Sequence, residues 1–407
     1  MKKIPFALPE IGEREIEAVT DVMRSDWITT GPKVREFEQN LADYCGVSHA
    51  QCLSSATAGM ELLLRLYGIG PGDEVITTPY TFAATANVIV HTGAVPVFAD
   101  VCGEDFNIDP VAIEKLISPK TKAVITVDFG GLPVNYGGIS TILRDKANLF
   151  RPSANPYQRG LHRPLWISDA AHSLGAVYGG RKTGGLADFS VFSFHAVKNL
   201  TTAEGGAMLY DRSVWENADD IYRGLRLMLL HGQSKDALDK LKAGNWFYAI
   251  ELPGYKYNMT DMSAAMGISQ LARYEDEILA KRKRICGIYT EALAGVPSLS
   301  VPILRDGLRE TSYQLYPLRL KTPNIELRNA VIAGMSEKGI ALNVHFIPLP
   351  LHPYYEKLGY MIDKYPTAKK LYESEISLPV YSRLSEDDAL YIAEELKKTL
   401  KNLEERL

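Results

Sequence analysis

Two residues in this chain have the types and spacing for carbonyl chemistry. Lys198 lies in the polar, glycine-ended run Ser193-Phe194-His195-Ala196-Val197-Lys198-Asn199-Leu200-Thr201-Thr202-Ala203-Glu204-Gly205-Gly206, just after the strand-like Phe189–Phe194. Asp169 closes the apolar run Trp166-Ile167-Ser168 and is followed by Ala170-Ala171-His172. A lysine amine can capture an aldehyde as a Schiff base, and a buried carboxylate can face a ring nitrogen. Together they form the pair that pyridoxal phosphate chemistry needs. Taken alone, each also reads as an ordinary loop lysine or a helix-capping aspartate.

A phosphate would need its own seat. Ser54-Ser55-Ala56-Thr57-Ala58-Gly59 falls between a strand and a helix, where small residues and hydroxyls let an anion approach a helix N-terminus. Simple capping by Ser55 or Thr57 explains the same residues. Phe82, in Pro79-Tyr80-Thr81-Phe82, either lies beside a flat cofactor or fills the core. There is no G-x-G-x-x-G after the first strand and no G-x-x-x-x-G-K-[ST], so nicotinamide and P-loop sites are excluded. Gly180-Arg181-Lys182-Thr183 has the wrong glycine spacing and reads as a turn.

These segments are positioned by an alternating pattern. Helical spacing covers Ile11–Arg24 and Lys33–Tyr44. Strand signals then fall at Gln51–Ser54, Glu74–Thr78, Val95–Ala99, Lys122–Asp128, Trp166–Ser168, Phe189–Phe194 and Gly206–Tyr210. Helices are expected between them at Thr57–Tyr67, Phe82–His91, Pro110–Ile117 and Ile139–Arg144. Short apolar strands alternating with helices predict an α/β fold, a mostly parallel seven-stranded sheet covered on both faces. After about residue 255 the pattern changes to one long helix over Met262–Val296, a strand at Tyr313–Leu320, a helix at Asn324–Lys338, a strand at Ala341–Phe346, irregular chain at Leu349–Pro353 and a last helix at Asp387–Leu400. The expected division is a large unit over 1–255 and a smaller C-terminal α+β unit over 256–407, meeting near Pro253-Gly254. Asn148–Pro164 reads as a surface excursion.

Composition narrows the partners. The 407 residues carry 45 basic and 49 acidic side chains, a net charge of -4 that gives no reason to expect nucleic acid or an anionic membrane. No apolar run approaches the roughly 20 residues that span a bilayer, and Met1–Phe6 does not read as a secretory signal. Cys45, Cys52, Cys102 and Cys286 are scattered, as are the eight histidines, so no metal site is expected and a reducing cytoplasm is the simplest setting.

The chain resembles the DegT/DnrJ/EryC1/StrS family of pyridoxal-phosphate-dependent sugar aminotransferases nearly end to end. The likeness rests on Trp27-Ile28-Thr29-Thr30-Gly31-Pro32, Ser54–Gly59, Asp169-Ala170-Ala171-His172, Ser193–Gly206, Gly254-Tyr255-Lys256-Tyr257-Asn258-Met259-Thr260-Asp261 and Val344-His345-Phe346. It implies fold type I, the aspartate aminotransferase-like arrangement. It implies Lys198 as the Schiff-base lysine, Asp169 on the pyridine nitrogen and His172 near the phenolic oxygen. It also implies Phe82 stacked on the ring and Ala56, Thr57 and Ser193 around the phosphate. Lys256 and Asn258 match a segment that reaches the neighbouring subunit's cofactor, which implies a homodimer with shared sites. Trp27, Thr29, Thr30, His195 and His345 are candidates for substrate contact, although packing roles explain Trp27 and His345 equally well.

The activity that the likeness implies is transamination through pyridoxal and pyridoxamine phosphate. The implied donor is glutamate, released as 2-oxoglutarate, and the implied acceptor is a nucleotide-linked keto sugar, more often reacting at C4 than C3. Many relatives have Gly at Ala56, Asn at Lys256 and Arg at Asn258, so the phosphate contacts from a second subunit differ here. Two other readings stand beside this one: a pyridoxamine-dependent sugar dehydratase, whose relatives replace the Schiff-base lysine with histidine, and a non-catalytic regulatory homologue. The sequence leaves the sugar, its nucleotide and the pathway open.

Overall fold

The structure, a computed structural model, describes residues 3–211, 218–234 and 246–405. Met1 and Lys2 of the N-terminal segment lie outside them. Helix α1 (Glu13–Arg24) starts where Glu15 reaches back to the Gly12 N–H at 2.8 Å. Helix α2 (Pro32–Cys45) opens on proline and stops at Gly46, whose φ of 67° suits glycine. β1 (His49–Leu53) leads into α3 (Ala56–Leu66), and β2 (Glu74–Thr77) into α4 (Ala84–Thr92). Then come β3 (Val95–Phe98), β4 (Thr121–Val127), β5 (Leu165–Asp169) and two short strands, β6 (Val177–Tyr178) and β7 (Arg181–Lys182). β8 (Phe189–Ser193) and β9 (Gly206–Tyr210) complete the main sheet.

The seven strands lie in the order β1-β9-β8-β5-β4-β2-β3. All are parallel except β9, which runs antiparallel between β1 and β8. β4 and β5 are buried along their whole length and mostly apolar, as expected of strands covered on both faces. The register places the carboxyl ends of β4, β5 and β8 side by side: Val127 pairs with Asp169, Asp169 with Val191, and Ser193 with Gly206. Ligands of open α/β sheets bind at that edge.

The remaining strands are β10 (Leu299–Ser300), β11 (Arg309–Glu310), β12 (Tyr316–Leu320) and β13 (Glu375–Leu378). β10, β12 and β13 form an antiparallel sheet, and β11 pairs with β6. The closing helix, Glu386–Glu404, packs on the helices Ala280–Leu293 and Ile325–Glu337.

Three expectations are corrected. The stretch Met262–Val296 is not one helix. It breaks into Asp261–Leu271, a π-helical turn Tyr274–Leu279 and Ala280–Leu293. Tertiary partners hold the break: Arg273 turns to Glu15 at 3.0 Å and Glu10 at 3.3 Å, while the Tyr274 hydroxyl donates to the Leu174 carbonyl at 2.7 Å. Ala341–Phe346 is not a strand but a segment with single bridges at its neighbour Ile340 and at Asn343. There the N–H groups of Val344 and His345 bond to side-chain oxygens of Asn343 and Glu375 instead of a ladder. Leu349–Pro353 is ordered into a 3-10 turn, Leu349–Leu351, and leads into the helix Pro353–Lys357. Asn148–Pro164 does run over the surface as expected, with Asn148, Arg151, Pro152, Arg159 and Gly160 exposed, and it also has a packing role. Its Asn155 and Gln158 amides donate to the Leu66 and Tyr67 carbonyls, both at 3.0 Å, and so satisfy open carbonyls at the buried C-terminal end of α3.

Candidate active site

The strand ends and the start of α3 enclose a cavity of about 380 Å³. Ala56, Thr57, Phe82, Asp169, His172, Ser193, His195, Lys198 and His345, nine of the residues singled out by sequence, line it. Asp169 ends β5 and is only 6% exposed. Its Oδ2 accepts from Thr85 Oγ1 at 2.7 Å and its Oδ1 from the Ala171 N–H at 3.2 Å. Burial nevertheless raises its pKa, with those two bonds and Lys198 opposing. Facing it, Lys198 is pushed down to about 8 by burial, against the pull of Asp169. At neutral pH a useful fraction of its amine is unprotonated, the form that attacks carbonyls.

The lysine loop is held from outside. Gln314 accepts from the Asn199 N–H at 3.0 Å and donates to the Val197 carbonyl at 3.1 Å, bracketing Lys198. Asn199 Nδ2 donates to the Ser312 carbonyl at 2.7 Å. Across the cavity, Ser55 caps α3 by accepting from the Ala58 N–H at 3.1 Å, so the capping explanation holds for Ser55 while Ala56 and Thr57 still line the cavity. Gly206 must lack a side chain, since a Cβ there would meet Ala56 N at 2.6 Å and Phe192 O at 2.8 Å.

Aromatic groups close the other side. Phe82 is 64% exposed and is not a core residue. Its ring centroid lies 6.1 Å from that of Phe346, which in turn stacks on His172 at 6.0 Å. The His172 Nδ1 is buried and has no hydrogen-bond partner among the described residues. Burial, then Lys198 and His345, hold this imidazole well below its usual pKa, so it is neutral. His195 is exposed at the rim, 3.7 Å from Glu204.

Five expected residues stand apart from this cavity within the single chain. Thr30 Oγ1 donates to the Met259 carbonyl at 2.6 Å and accepts from Asn258 Nδ2 at 2.6 Å. Trp27 Nε1 donates to the Thr30 carbonyl at 3.0 Å, and the Thr29 carbonyl accepts from the Asp261 N–H at 3.1 Å. Lys256 is exposed and bridges to Leu230. The site also contains residues that sequence reasoning missed: Thr85, Gln314, Phe346 and the N-terminal Phe6. Thr85 lies three residues beyond Phe82 in the following helix, where a threonine carries no signal of its own, and Gln314 is more than a hundred residues from the loop it braces.

Pyridoxal phosphate fits these residues. Asp169 offers a buried anion for a pyridinium, Lys198 an amine of lowered pKa for an aldehyde, and the α3 N-terminus a seat for phosphate. Phe82 offers an exposed ring face, and the unpartnered His172 nitrogen would be satisfied by a ligand heteroatom.

Fold and site together are those of an aminotransferase. The chain belongs to the DegT/DnrJ/EryC1/StrS aminotransferase family, whose sequence model matches residues 9–150 and 160–397. The gap between the two matches falls on the segment that caps α3. The chain is 40% identical over 402 residues to the spore coat polysaccharide biosynthesis protein SpsC of Bacillus subtilis, covering 98% of this chain and 97% of that protein. Among solved structures it is similar to the sugar aminotransferase Spr1654 of Streptococcus pneumoniae, described as putative, in its pyridoxamine phosphate form. The TM-score is 0.94 and the identity 40%, over 98% of this chain and 100% of the other. A pyridoxal phosphate form of the same streptococcal protein has also been solved. Helicobacter pylori PseC, an aminotransferase involved in the biosynthesis of pseudoaminic acid, superposes with a TM-score of 0.86 at 29% identity, over 98% of this chain and all of the other. Among the described residues no helix is long and apolar enough to cross a membrane, and no cluster of side chains suits a metal ion.

Proposed function

We propose that this protein moves an amino group from glutamate to the C4 carbonyl of a nucleotide-linked sugar, using pyridoxal phosphate held by Lys198. The observation that carries the reading is a lysine amine of lowered pKa facing a buried aspartate across one cavity. When bound, the cofactor supplies the electron sink for amine exchange. Asp169 keeps the ring nitrogen protonated through its negative charge. Lys198 would hold the cofactor through its aldehyde, and as a free amine of lowered pKa in the same cavity it would move a proton on and off the substrate carbon. Phe82 supports the ring face, His172 contacts the phenolic oxygen as a neutral imidazole, and Ala56, Thr57 and Ser193 surround the phosphate.

The reading extends to assembly. Lys256 and Asn258, with Trp27, Thr29 and Thr30, lie outside this chain's own cavity and serve the cavity of a second copy, giving a homodimer with two composite sites. The division into units over 1–255 and 256–407 and a cytoplasmic setting belong to the same proposal. So does a role in supplying amino sugars for polysaccharide, which the similarity to SpsC supports.

The test is direct. The pyridoxamine phosphate form is mixed with a panel of nucleotide-linked 3-keto and 4-keto sugars, and the new amine is located by NMR. A 4-amino product with glutamate regenerating the enzyme is expected. A 3-amino product, or no amine from any nucleotide-linked sugar while the matching free keto sugars react, overturns the assignment.

A further inference from the structure

Side chains alternate along a strand, so Glu375 and Ser377 of β13 share one face, and both are fully buried. That face meets the segment carrying His345. Asn343 N–H donates to the Ser377 carbonyl at 3.2 Å, and Ser377 N–H to the Asn343 carbonyl at 2.8 Å. The pairing sets the His345 N–H on Glu375 Oε2 at 2.9 Å. Ser377 Oγ lies 2.5 Å from Glu375 Oε1 and 2.8 Å from His345 Nδ1. The imidazole itself lines the cavity that holds Lys198, and its Nε2 has no hydrogen-bond partner among the described residues.

A hydroxyl has one proton to donate, so with a neutral imidazole, as burial here favours, this chain has two consistent states. With Glu375 ionised, Ser377 donates to Oε1 and accepts from Nδ1–H, which leaves a lone pair on Nε2. With Oε1 protonated, the carboxyl donates to Ser377, Ser377 donates to Nδ1, and the imidazole proton sits on Nε2. We propose that Glu375, Ser377 and His345 form a proton relay that opens into the cavity at His345 Nε2, with Glu375 as its reservoir. A proton arriving at Nε2 displaces the Nδ1 proton to Ser377 Oγ, whose own proton passes to Glu375 Oε1. The imidazole is neutral before and after, and the reverse shift delivers a proton to the cavity. The proton partner there rests on the proposed function: a keto sugar that becomes an amine loses its carbonyl oxygen as water, and that oxygen must be protonated to leave.

The surroundings suit the role. Burial raises Glu375 to about 8, opposed by Ser377, the His345 N–H and the Arg328 guanidinium, so it can hold or release a proton near neutrality. Tyr80 also faces Glu375. On the cavity side Lys198 and His172 face His345, whose imidazole is held down to about 3 by burial and then by Lys198. The imidazole therefore changes tautomer without changing charge.

The tautomer of His345 in holoenzyme carrying 15N-labelled histidine reads the relay without any substrate. A His345→Gln spectrum provides the assignment. Wild type should pass from Nε2–H to Nδ1–H as pH rises through the ionisation of Glu375. In Glu375→Gln the amide oxygen keeps the His345 N–H and the amide nitrogen donates to Ser377, which should fix Nε2–H at every pH. Ser377→Ala, which leaves Glu375 in place, should abolish the switch. The sugar half-reaction should slow about a hundredfold in Glu375→Gln, with the amino-acid half-reaction less affected. A wild-type tautomer that never changes, or a Ser377→Ala enzyme that switches like wild type, overturns the relay. Normal switching in an enzyme that aminates no keto sugar supports the relay and overturns only the functional reading.

Discussion

Asp169→Asn removes the charge from the site while leaving its shape. The side chain is buried, with Thr85 Oγ1 at 2.7 Å and the Ala171 N–H at 3.2 Å. An asparagine oxygen can still accept from Ala171, and its amide nitrogen can donate to Thr85, whose hydroxyl already partners Thr81 at 2.9 Å. Breaking a buried charge pair costs about 3–5 kcal/mol, so turnover should fall roughly 10²–10⁴-fold. The cofactor-free protein should respond in the opposite sense. Burial raises the folded pKa of Asp169 above its unfolded value. Its contribution to stability is therefore fully present below the ordinary carboxylate pKa and is lost as pH rises through the folded value. At neutral pH the ionised group opposes the empty fold, and asparagine relieves that cost. Cofactor-free Asp169→Asn should melt at or above wild type, while its gain in stability on adding cofactor should shrink. Lys198 changes as well. Asp169 is the group that raises its pKa against burial, so asparagine leaves the amine lower than about 8 and more of it neutral. Covalent capture of the aldehyde should persist even as turnover collapses. Stopped-flow absorbance of each half-reaction, with thermal melts of the empty and loaded protein, measures all three effects. Near-normal turnover at saturating cofactor would refute the electrostatic reasoning.

Borohydride reduction of the loaded enzyme should attach the cofactor to Lys198, located by peptide mass spectrometry, and Lys198→Ala should lose turnover completely while still binding cofactor noncovalently; label on another lysine sinks that assignment. Gln314→Ala removes both braces of the lysine loop, at 3.0 and 3.1 Å. At about 1 kcal/mol per bond it should cost ~2 kcal/mol of stability in denaturant unfolding and slow cofactor capture. Coexpressing Lys198→Ala with a Lys256→Glu, Asn258→Ala chain should restore part of the activity, because one heterodimer site then receives both intact contributions. Failure to restore it, with subunit exchange demonstrated, removes the shared site.

The sequence by itself determined the chemistry and the main sheet. A lone lysine after a strand and an aspartate closing another are local patterns, and the strands of the sheet carry enough apolar residues to be recognised without their neighbours, even where polar residues such as His49 and Gln51 are set among them. Eight of the nine proposed cavity residues converge for the same reason: in a mostly parallel sheet, residues at and after the strands' carboxyl ends gather at one edge, while His345 arrives from the C-terminal part of the chain. Elements set by distant partners were not legible. The break at Tyr274 depends on Glu10, Glu15 and Leu174. The segment around His345 resembles a strand in composition, yet the N–H groups of Val344 and His345 are taken by side-chain oxygens, one of them thirty residues away. The caps supplied by Asn155 and Gln158 read as loop polarity until α3 is placed beneath them. Thr85, Gln314, Ser377 and Glu375 carry no motif, because their part is to hold another residue's atom. Local periodicity records which face of an element meets the core. Only the packed structure decides which side chain from another element completes a hydrogen bond.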